Sequence, residues 1–487
     1  MDYSSKAQTE EMASLVETWL GNPATRKVLS KVVAGSDGMQ RMERILKSYG
    51  WDTEDDLGLK DRIVGKTVRS IIGQVANKTG ITEDDIKSNM KVGYWRKGLV
   101  STLAGIGLWG PQKPFTSYAP FLVVWNSTNA CNLHCRHCYQ SAISRPTPDE
   151  LNTAERVKVV DRLADEGVAY ISLSGGEPLM RNDFFEVAAR ICQRDMGLAL
   201  ATNGTMLTAA RAKRLADLGC SFVQISLDGT RQTHDNFRGL DGAFDKTLEG
   251  IKNAVDAGLN TEVAMTVTSQ NLDEVSEVID ITESLGAGTF MHYNFIPAGR
   301  GKEIMNKDLS PQQRESLLEE LATEGERRNI NVLSTAPQFS RVCMGGRHSI
   351  SSLTHFDSIG QNKQLADKVE FLAEFVGGCG AGRLYCGLQP NGDIIPCVFL
   401  PKTLANIRYN NLVDVWQNSD FLAKMRQRNS FKGQCSECAY LKVCGGCRAR
   451  AFGYFNDVQG PDPGCIRNAA SWDELEKKIE HDSVHPL

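Results

Sequence analysis

The chain has 487 residues, 41% of them hydrophobic and 23% charged, with a formal charge of −4. This is ordinary globular usage, enough for two or three domains of about 150 residues each. It excludes a basic nucleic-acid footprint. No apolar run reaches the roughly 18 residues of a membrane span, and the polar start MDYSSKAQTEEM is unlike a secretory signal. The expectation is a soluble, cytoplasmic protein with no nucleic-acid partner.

Residues 1–118 read as a helical region. TEEMASLVETWLGN and GMQRMERILKSYG repeat apolar residues at three- and four-residue spacing. ITEDDIKSNM offers a helix start at Thr82 with acids in the first turn. GLVSTLAGIGLWGPQKPF, 98–115, is apolar, glycine-rich and broken by Pro111 and Pro114. It is expected to dock on the next domain, with a hydrophobic entrance or a membrane-surface contact as the alternative.

From 119 to 335 strand and helix alternate. Strands are expected at 121–126, 169–174, 198–202, 221–227, 261–267 and 289–296, with amphipathic helices between them. Such alternation implies βαβ units on a parallel sheet. The fold class is therefore α/β: a partial (β/α)6 barrel with a helical N-terminal region and a small cysteine-rich C-terminal domain. In such barrels the chemistry gathers at the C-terminal strand ends. SGGEP follows the second strand, NGT the third, DGTRQTHDNFRG the fourth and PAGRG the sixth. The polar punctuation thus shares one end of the sheet. A connector is expected over 336–376, the cysteine-rich domain over 377–470 and a tail over 471–487.

Fourteen cysteines are unevenly placed. In a large chain without a secretory signal, clustered cysteines point to metal rather than to disulfides. Cys131, Cys135 and Cys138 follow the first strand as C-x3-C-x2-C. Three thiolates leave one iron of a four-iron cluster without a protein ligand. Zinc completed by His134 or His137 is the alternative. Eight more cysteines lie between Cys379 and Cys465. Cys192, Cys220 and Cys343 stand alone, the first two as small core residues.

The C-x3-C-x2-C loop, Tyr139 directly after it and GGEP after the second strand resemble the radical S-adenosylmethionine (SAM) enzymes over residues 119–335. The resemblance implies a [4Fe-4S] cluster held by Cys131, Cys135 and Cys138, whose free iron chelates the methionine part of SAM. One electron then cleaves SAM, and the 5′-deoxyadenosyl radical removes hydrogen from a substrate. Clusters reach potentials of about −700 mV, strong enough for such a reduction; a donor such as ferredoxin or flavodoxin is the implied partner.

The same resemblance assigns cofactor contacts. Gly175 and Gly176 would let the backbone approach the ligand, Glu177 would accept from the methionine ammonium, and Pro178 would stiffen the turn. Ser226 would meet the ribose and Arg238 the carboxylate, with Asp228 beside them. Thr202, Asn203, Ile296 and Arg300 would line the rim and adenine side, or serve only as strand-end turns.

From Cys379 onward the spacing resembles the SPASM extension of this family, which holds auxiliary clusters. The resemblance pairs Cys379, Cys386, Cys397 and Cys447 in one cluster and Cys435, Cys438, Cys444 and Cys465 in the other; spacing alone would also allow Cys435–Cys447 in a single site. Two zinc ions are the alternative. Eight thiolates would saturate both clusters, which favours electron transfer over substrate ligation.

CGAGRLYCGLQPNGDIIPC, CGGCRARA and GPDPGC look nearest to the branch with the pyrroloquinoline quinone pathway enzyme and the haem-forming decarboxylases. Val398 stands where sulfatase-maturing relatives carry an acid. The implied substrate is a peptide or peptide-derived cofactor precursor, with a tetrapyrrole or lipid as the alternative. A non-catalytic iron–sulfur carrier is the rival class, and it would need neither Glu177 nor Arg238.

Overall fold

A computed structural model describes residues 21–32, 38–53, 56–79, 82–344 and 373–484. The helix expected over 9–22 and most of the 336–376 connector lie outside the described residues. The described strands form one ten-stranded sheet. In chain order they are β1 (Leu122–Asn126), β2 (Tyr170–Ser174), β3 (Gly197–Thr202), β4 (Phe222–Ser226), β5 (Thr261–Val267), β6 (Thr289–Asn294), β7 (Asn331–Ser334), β8 (Tyr385–Leu388), β9 (Asp393–Ile395) and β10 (Ala405–Asn406). β1 to β7 run side by side and parallel, a partial barrel.

The sequence explains these elements locally. YISLS in β2 is buried at every position, as a parallel strand covered on both faces must be. Helix starts carry their own caps: Asn152 with Glu155 and Ser310 with Gln313 each form a reciprocal capping box. Thr82 does the same with Asp85, so the expected helix start is there.

Two features were not legible beforehand. β8 pairs parallel with β1, opposite β2, so the cysteine-rich region extends the barrel sheet. β9 and β10 then add antiparallel. The helix Gly93–Trp109, by contrast, docks as expected. An added Cβ on Gly98 would lie 2.3 Å from the Phe121 ring, and Ser101 Oγ donates to the Ala119 carbonyl at 3.0 Å. Val100, Leu103, Ala104 and Ile106 are buried, which supports the docking reading of 98–115. No helix among the described residues is long and apolar enough to cross a membrane.

A buried ion network joins barrel and C-terminal region. Asp308 pairs with Arg314 at 2.5 Å and with Arg450 at 2.9 Å, and Arg450 reaches Asp462 at 3.2 Å. Arg450, Asp308 and Asp462 are fully buried. Burial alone would push the Asp308 carboxyl up, but the two guanidiniums hold it below the usual carboxylate range. Removing one partner strands the other charges away from water. Asp308→Ala is expected to lose about 3–5 kcal/mol of stability in chemical denaturation; an unchanged midpoint would contradict the role given to this network.

Candidate active site

The C-terminal ends of β1 to β6 open into one cavity of about 250 Å3. Cys131, Cys135 and Cys138 line it from one side. Their loop is held by backbone bonds: His134 N–H donates to the Arg238 carbonyl at 3.1 Å and Arg136 N–H to the Phe237 carbonyl at 2.9 Å. Arg300 clamps it from beyond β6, donating Nε to the Cys135 carbonyl at 2.9 Å and Nη1 to the Ala142 carbonyl at 2.6 Å.

The glycines of GGEP line the cavity and also support this loop. Gly176 N–H donates to the Thr128 carbonyl and Glu177 N–H to the Ala130 carbonyl, both at 2.8 Å. A Cβ on Gly176 would stand 2.1 Å from the Ala130 oxygen, so only glycine allows this approach. Gly175 has φ 122°, outside the range open to other residues.

Glu177 is placed differently from the expectation. Its carboxylate is fully buried and accepts from Thr202 Oγ1 at 2.8 Å, Asn203 N–H at 2.9 Å and Leu179 N–H at 3.1 Å. It ties the end of β2 to the end of β3 and does not line the cavity. Burial pushes it up, against those bonds. Pro178 is likewise buried, opening a short 3-10 turn. Thr202 is thus a partner of Glu177, while Asn203 Nδ2 donates to Asn132 Oδ1 at 2.9 Å and lies 3.9 Å from Cys131 Sγ.

Asp228 is the electrostatic centre of the other rim. Its buried carboxylate lies 2.7 Å from Arg238 Nη2 and 3.3 Å from His137 Nε2, and accepts from Thr266 N–H at 2.9 Å. Burial alone would raise it; the Arg238 guanidinium, the foremost charge facing it, outweighs that and holds it below the usual carboxylate range. Arg238 in turn points Nη1 at Cys135 Sγ, 3.6 Å away. Burial pushes His137 down to about 4, so it is neutral. Sequence reasoning missed His137 as a partner of Asp228, because its place between two cysteines suggested a metal ligand.

Ser226, Ile296 and Tyr139 line the cavity as expected. Tyr139 OH donates to Asn126 Oδ1 at 3.1 Å, and its ring meets Phe399 edge-on at 4.8 Å. Tyr293 and Tyr385 also line the cavity and were not singled out.

The donor set fits an iron–sulfur cluster. Each of the three thiols faces an N–H: Leu133 N–H to Cys131 and Ala142 N–H to Cys138, both at 3.4 Å, besides Arg238 to Cys135. Hydrogen bonds to the sulfurs are a main lever on cluster potential. Arg238 Nε and Arg300 Nη2 are buried without a partner at the same cavity, which suits an anionic carboxylate. No three His, Cys, Asp or Glu among the described residues are grouped as a single metal ion requires. His134 is exposed and His137 faces Asp228. Zinc is therefore disfavoured, whereas a four-iron cluster spreads its thiolates over separate irons.

The second cysteine group divides. Cys435, Cys438, Cys444 and Cys465 line one small cavity. Asn468 Nδ2 and Gly446 N–H donate at 3.4 Å to Cys435 and Cys444. Cys379, Cys397 and Cys447 line the main cavity, as the first loop does. Cys386, expected with them, is not brought there: it sits in β8 opposite Val123 of β1.

Comparison with known proteins accords with this geometry. Residues 125–281 match the radical SAM superfamily and residues 379–447 an iron–sulfur cluster-binding (SPASM) domain. An AdoMet-dependent heme synthase of Methanosarcina barkeri is 33% identical over 350 residues, 72% of this chain and 97% of the relative. The chain belongs to the radical SAM superfamily. Mycofactocin maturase MftC of Mycobacterium tuberculosis is 32% identical over 361 residues, 72% of this chain and 83% of the relative. SuiB of Streptococcus suis bound to S-adenosylmethionine shares the fold, with a TM-score of 0.59 at 16% identity over 83% of this chain and 90% of that one. This radical SAM protein is thus an enzyme whose cofactors are [4Fe-4S] clusters and SAM.

Asp228 orients the guanidinium that faces both the Cys135 thiol and the cavity. Asp228→Asn in the cluster-loaded enzyme is expected to weaken SAM binding about 10–100-fold, the usual effect of losing such an orienting partner. Equilibrium dialysis with labelled SAM measures it; an unchanged affinity would show that Arg238 needs no anchor.

Proposed function

We propose that this enzyme oxidises a C–H position of a peptide or a peptide-derived cofactor precursor bound between the two cysteine sets. The observation that carries the reading is the shared cavity, which Cys131, Cys135 and Cys138 line together with Cys379, Cys397 and Cys447. When bound, SAM and its cluster supply a carbon-centred radical at that place. The chain's own residues then do the remaining work. Arg238, held by Asp228, would fix the SAM carboxylate, and Arg300 would keep the loop closed. Tyr139, Phe399 and Tyr293 would form an apolar wall that excludes water from the reacting carbon. The auxiliary thiols would hold the group that takes up the electron left on the substrate, and a cytoplasmic low-potential donor such as ferredoxin or flavodoxin would supply the separate electron that cleaves SAM.

The charge of the cavity supports a peptide over a tetrapyrrole. Tetrapyrroles of the haem pathway carry several carboxylates, which call for several cations. Among the described lining residues only Arg238 and Arg300 are cationic, and both are engaged with the cysteine loop. The mycofactocin maturase relative supports the same reading. The second reading, a tetrapyrrole, is supported by the heme synthase relative.

Reconstituted enzyme with SAM and dithionite, under strict anaerobiosis, separates the two. The expected result is basal 5′-deoxyadenosine formation that iron coproporphyrin III does not accelerate, and that a short peptide encoded beside this chain does, with loss of hydrogen from its mass. Saturable porphyrin binding with faster SAM cleavage would overturn the peptide reading.

A further inference from the structure

We infer that the guanidiniums of Arg383 and Arg428 are the counter-charges of the auxiliary iron–sulfur sites, and that they raise the potentials of those sites so that an electron is taken up more readily. The inference rests on the reading above only in taking that electron from the substrate radical, which is oxidised as the cluster is reduced. The charge assignment itself needs no substrate.

Other buried guanidiniums of the described chain meet carboxylates. Arg96 pairs with Asp195, Arg156 with Asp183, Arg238 with Asp228, and Arg314 and Arg450 with Asp308. Arg448 acts electrostatically on Asp457. Arg383 and Arg428, 3% and 8% exposed, bond carbonyls instead, and no carboxylate among the described residues pairs with them. Arg383 donates to the carbonyls of Phe115 and Val376, both at 2.7 Å. Arg428 donates to those of Leu441 at 2.7 Å and Lys442 at 2.5 Å. Both also donate to the Gly377 carbonyl, each at 3.1 Å, so two like charges share one oxygen. Arg383 Nε is buried without a partner. A carbonyl offers a dipole but no counter-charge, and a buried charge without one is strongly unfavourable.

The negative charge that would complete this arrangement lies at the cysteines. Gly377 stands two residues before Cys379. Gly378 turns the chain there with φ 74°, and a Cβ on it would lie 2.1 Å from the Cys444 carbonyl oxygen. Cys379 N–H donates to that same carbonyl at 3.3 Å. The two auxiliary cysteine sets therefore meet through backbone at this point. Arg428 packs into the same joint, where a Cβ on Gly445 would lie 2.8 Å from its Cζ. Burial pushes the Arg383 guanidinium down and the like charge of Arg428 adds to this, while the Cys379 thiolate opposes it. Burial pushes Arg428 down to about 10, against the thiolates of Cys379 and Cys444. Arg428 thus faces both cysteine sets, and Arg383 the one on the main cavity. Beside iron bound to thiolates, these cations favour the reduced and more negative state, because net charge and hydrogen bonding set cluster potential.

The test reads potential and iron content, not turnover. With Cys131, Cys135 and Cys138 all changed to Ala, electron paramagnetic resonance during a reductive titration follows the auxiliary clusters alone. Arg428→Gln is expected to make reduction of both clusters about tenfold less favourable, a fall of about 59 mV in each midpoint. Arg383→Gln is expected to lower only the cluster beside the main cavity. Arg428→Lys keeps the charge but not the fork of donors, and is expected to retain iron and the parental potentials. Unmoved potentials in either iron-replete Gln variant would overturn the assignment. Should a Gln variant fail to load iron, Arg428→Lys decides: full iron at parental potentials supports the counter-charge, whereas loss of iron there too would show that the hydrogen bonds and not the charge are needed, and would overturn it. Neither SAM nor substrate is present, so these outcomes are separate from whether the enzyme oxidises a peptide.

Discussion

The site depends on a backbone-to-backbone contact that admits no side chain. The loop Asn129–Cys138 must carry three thiols over the end of β1 and keep them there without a disulfide or a core of its own. It does so by lying against Gly175 and Gly176, with Gly176 N–H donating to the Thr128 carbonyl and Glu177 N–H to the Ala130 carbonyl. A single methyl group on Gly176 would collide with the Ala130 carbonyl. Glu177 fixes the approach from behind by binding β3 through Thr202 and Asn203. The thiols are thereby pre-positioned, so that assembling a cluster need not order the loop as well.

Charge then determines which side of the loop is reactive. Asp228 is buried at the end of β4 and gathers Arg238 and His137. An isolated carboxylate there would be costly, and so would an isolated guanidinium. Together they set a cationic edge beside Cys135, directed into the cavity. A second buried network, Arg314, Asp308, Arg450 and Asp462, locks the C-terminal region onto the barrel. Through it, Cys447 and the first loop keep a fixed relation across the same space. The two cysteine sets thus face each other because two separate buried ion networks hold their walls.

Much of this was written plainly in the sequence. The strands TEVAMTV and LALAT and the capped helices between them fall where alternation of apolar runs places them, because a parallel sheet buried on both faces leaves little ambiguity of period. The C-x3-C-x2-C spacing and GGEP likewise fix the loop and its support. What stayed hidden was facing. YCGL is buried at all four positions, so composition cannot say which side chains look inward, and only the pairing of β8 with β1 places Cys386 opposite Val123. Glu177 was misplaced for a related reason: a carboxylate after two glycines suggests ligand binding, and its buried partners Thr202 and Asn203 are 25 and 26 positions further along the chain. His137 was ambiguous because spacing shows which residues are neighbours but not which carboxylate lies across the barrel.

The central claim is that the iron left bare by Cys131, Cys135 and Cys138 is where SAM is held, with its carboxylate toward Arg238. The most direct measurement is electron–nuclear double resonance on the reduced enzyme with SAM labelled by 17O in the methionine carboxylate and 15N in the amino group. Both labels are expected to couple to a cluster, and both couplings to vanish when Cys131 is changed to Ala. Bound SAM with neither label coupled would contradict the account.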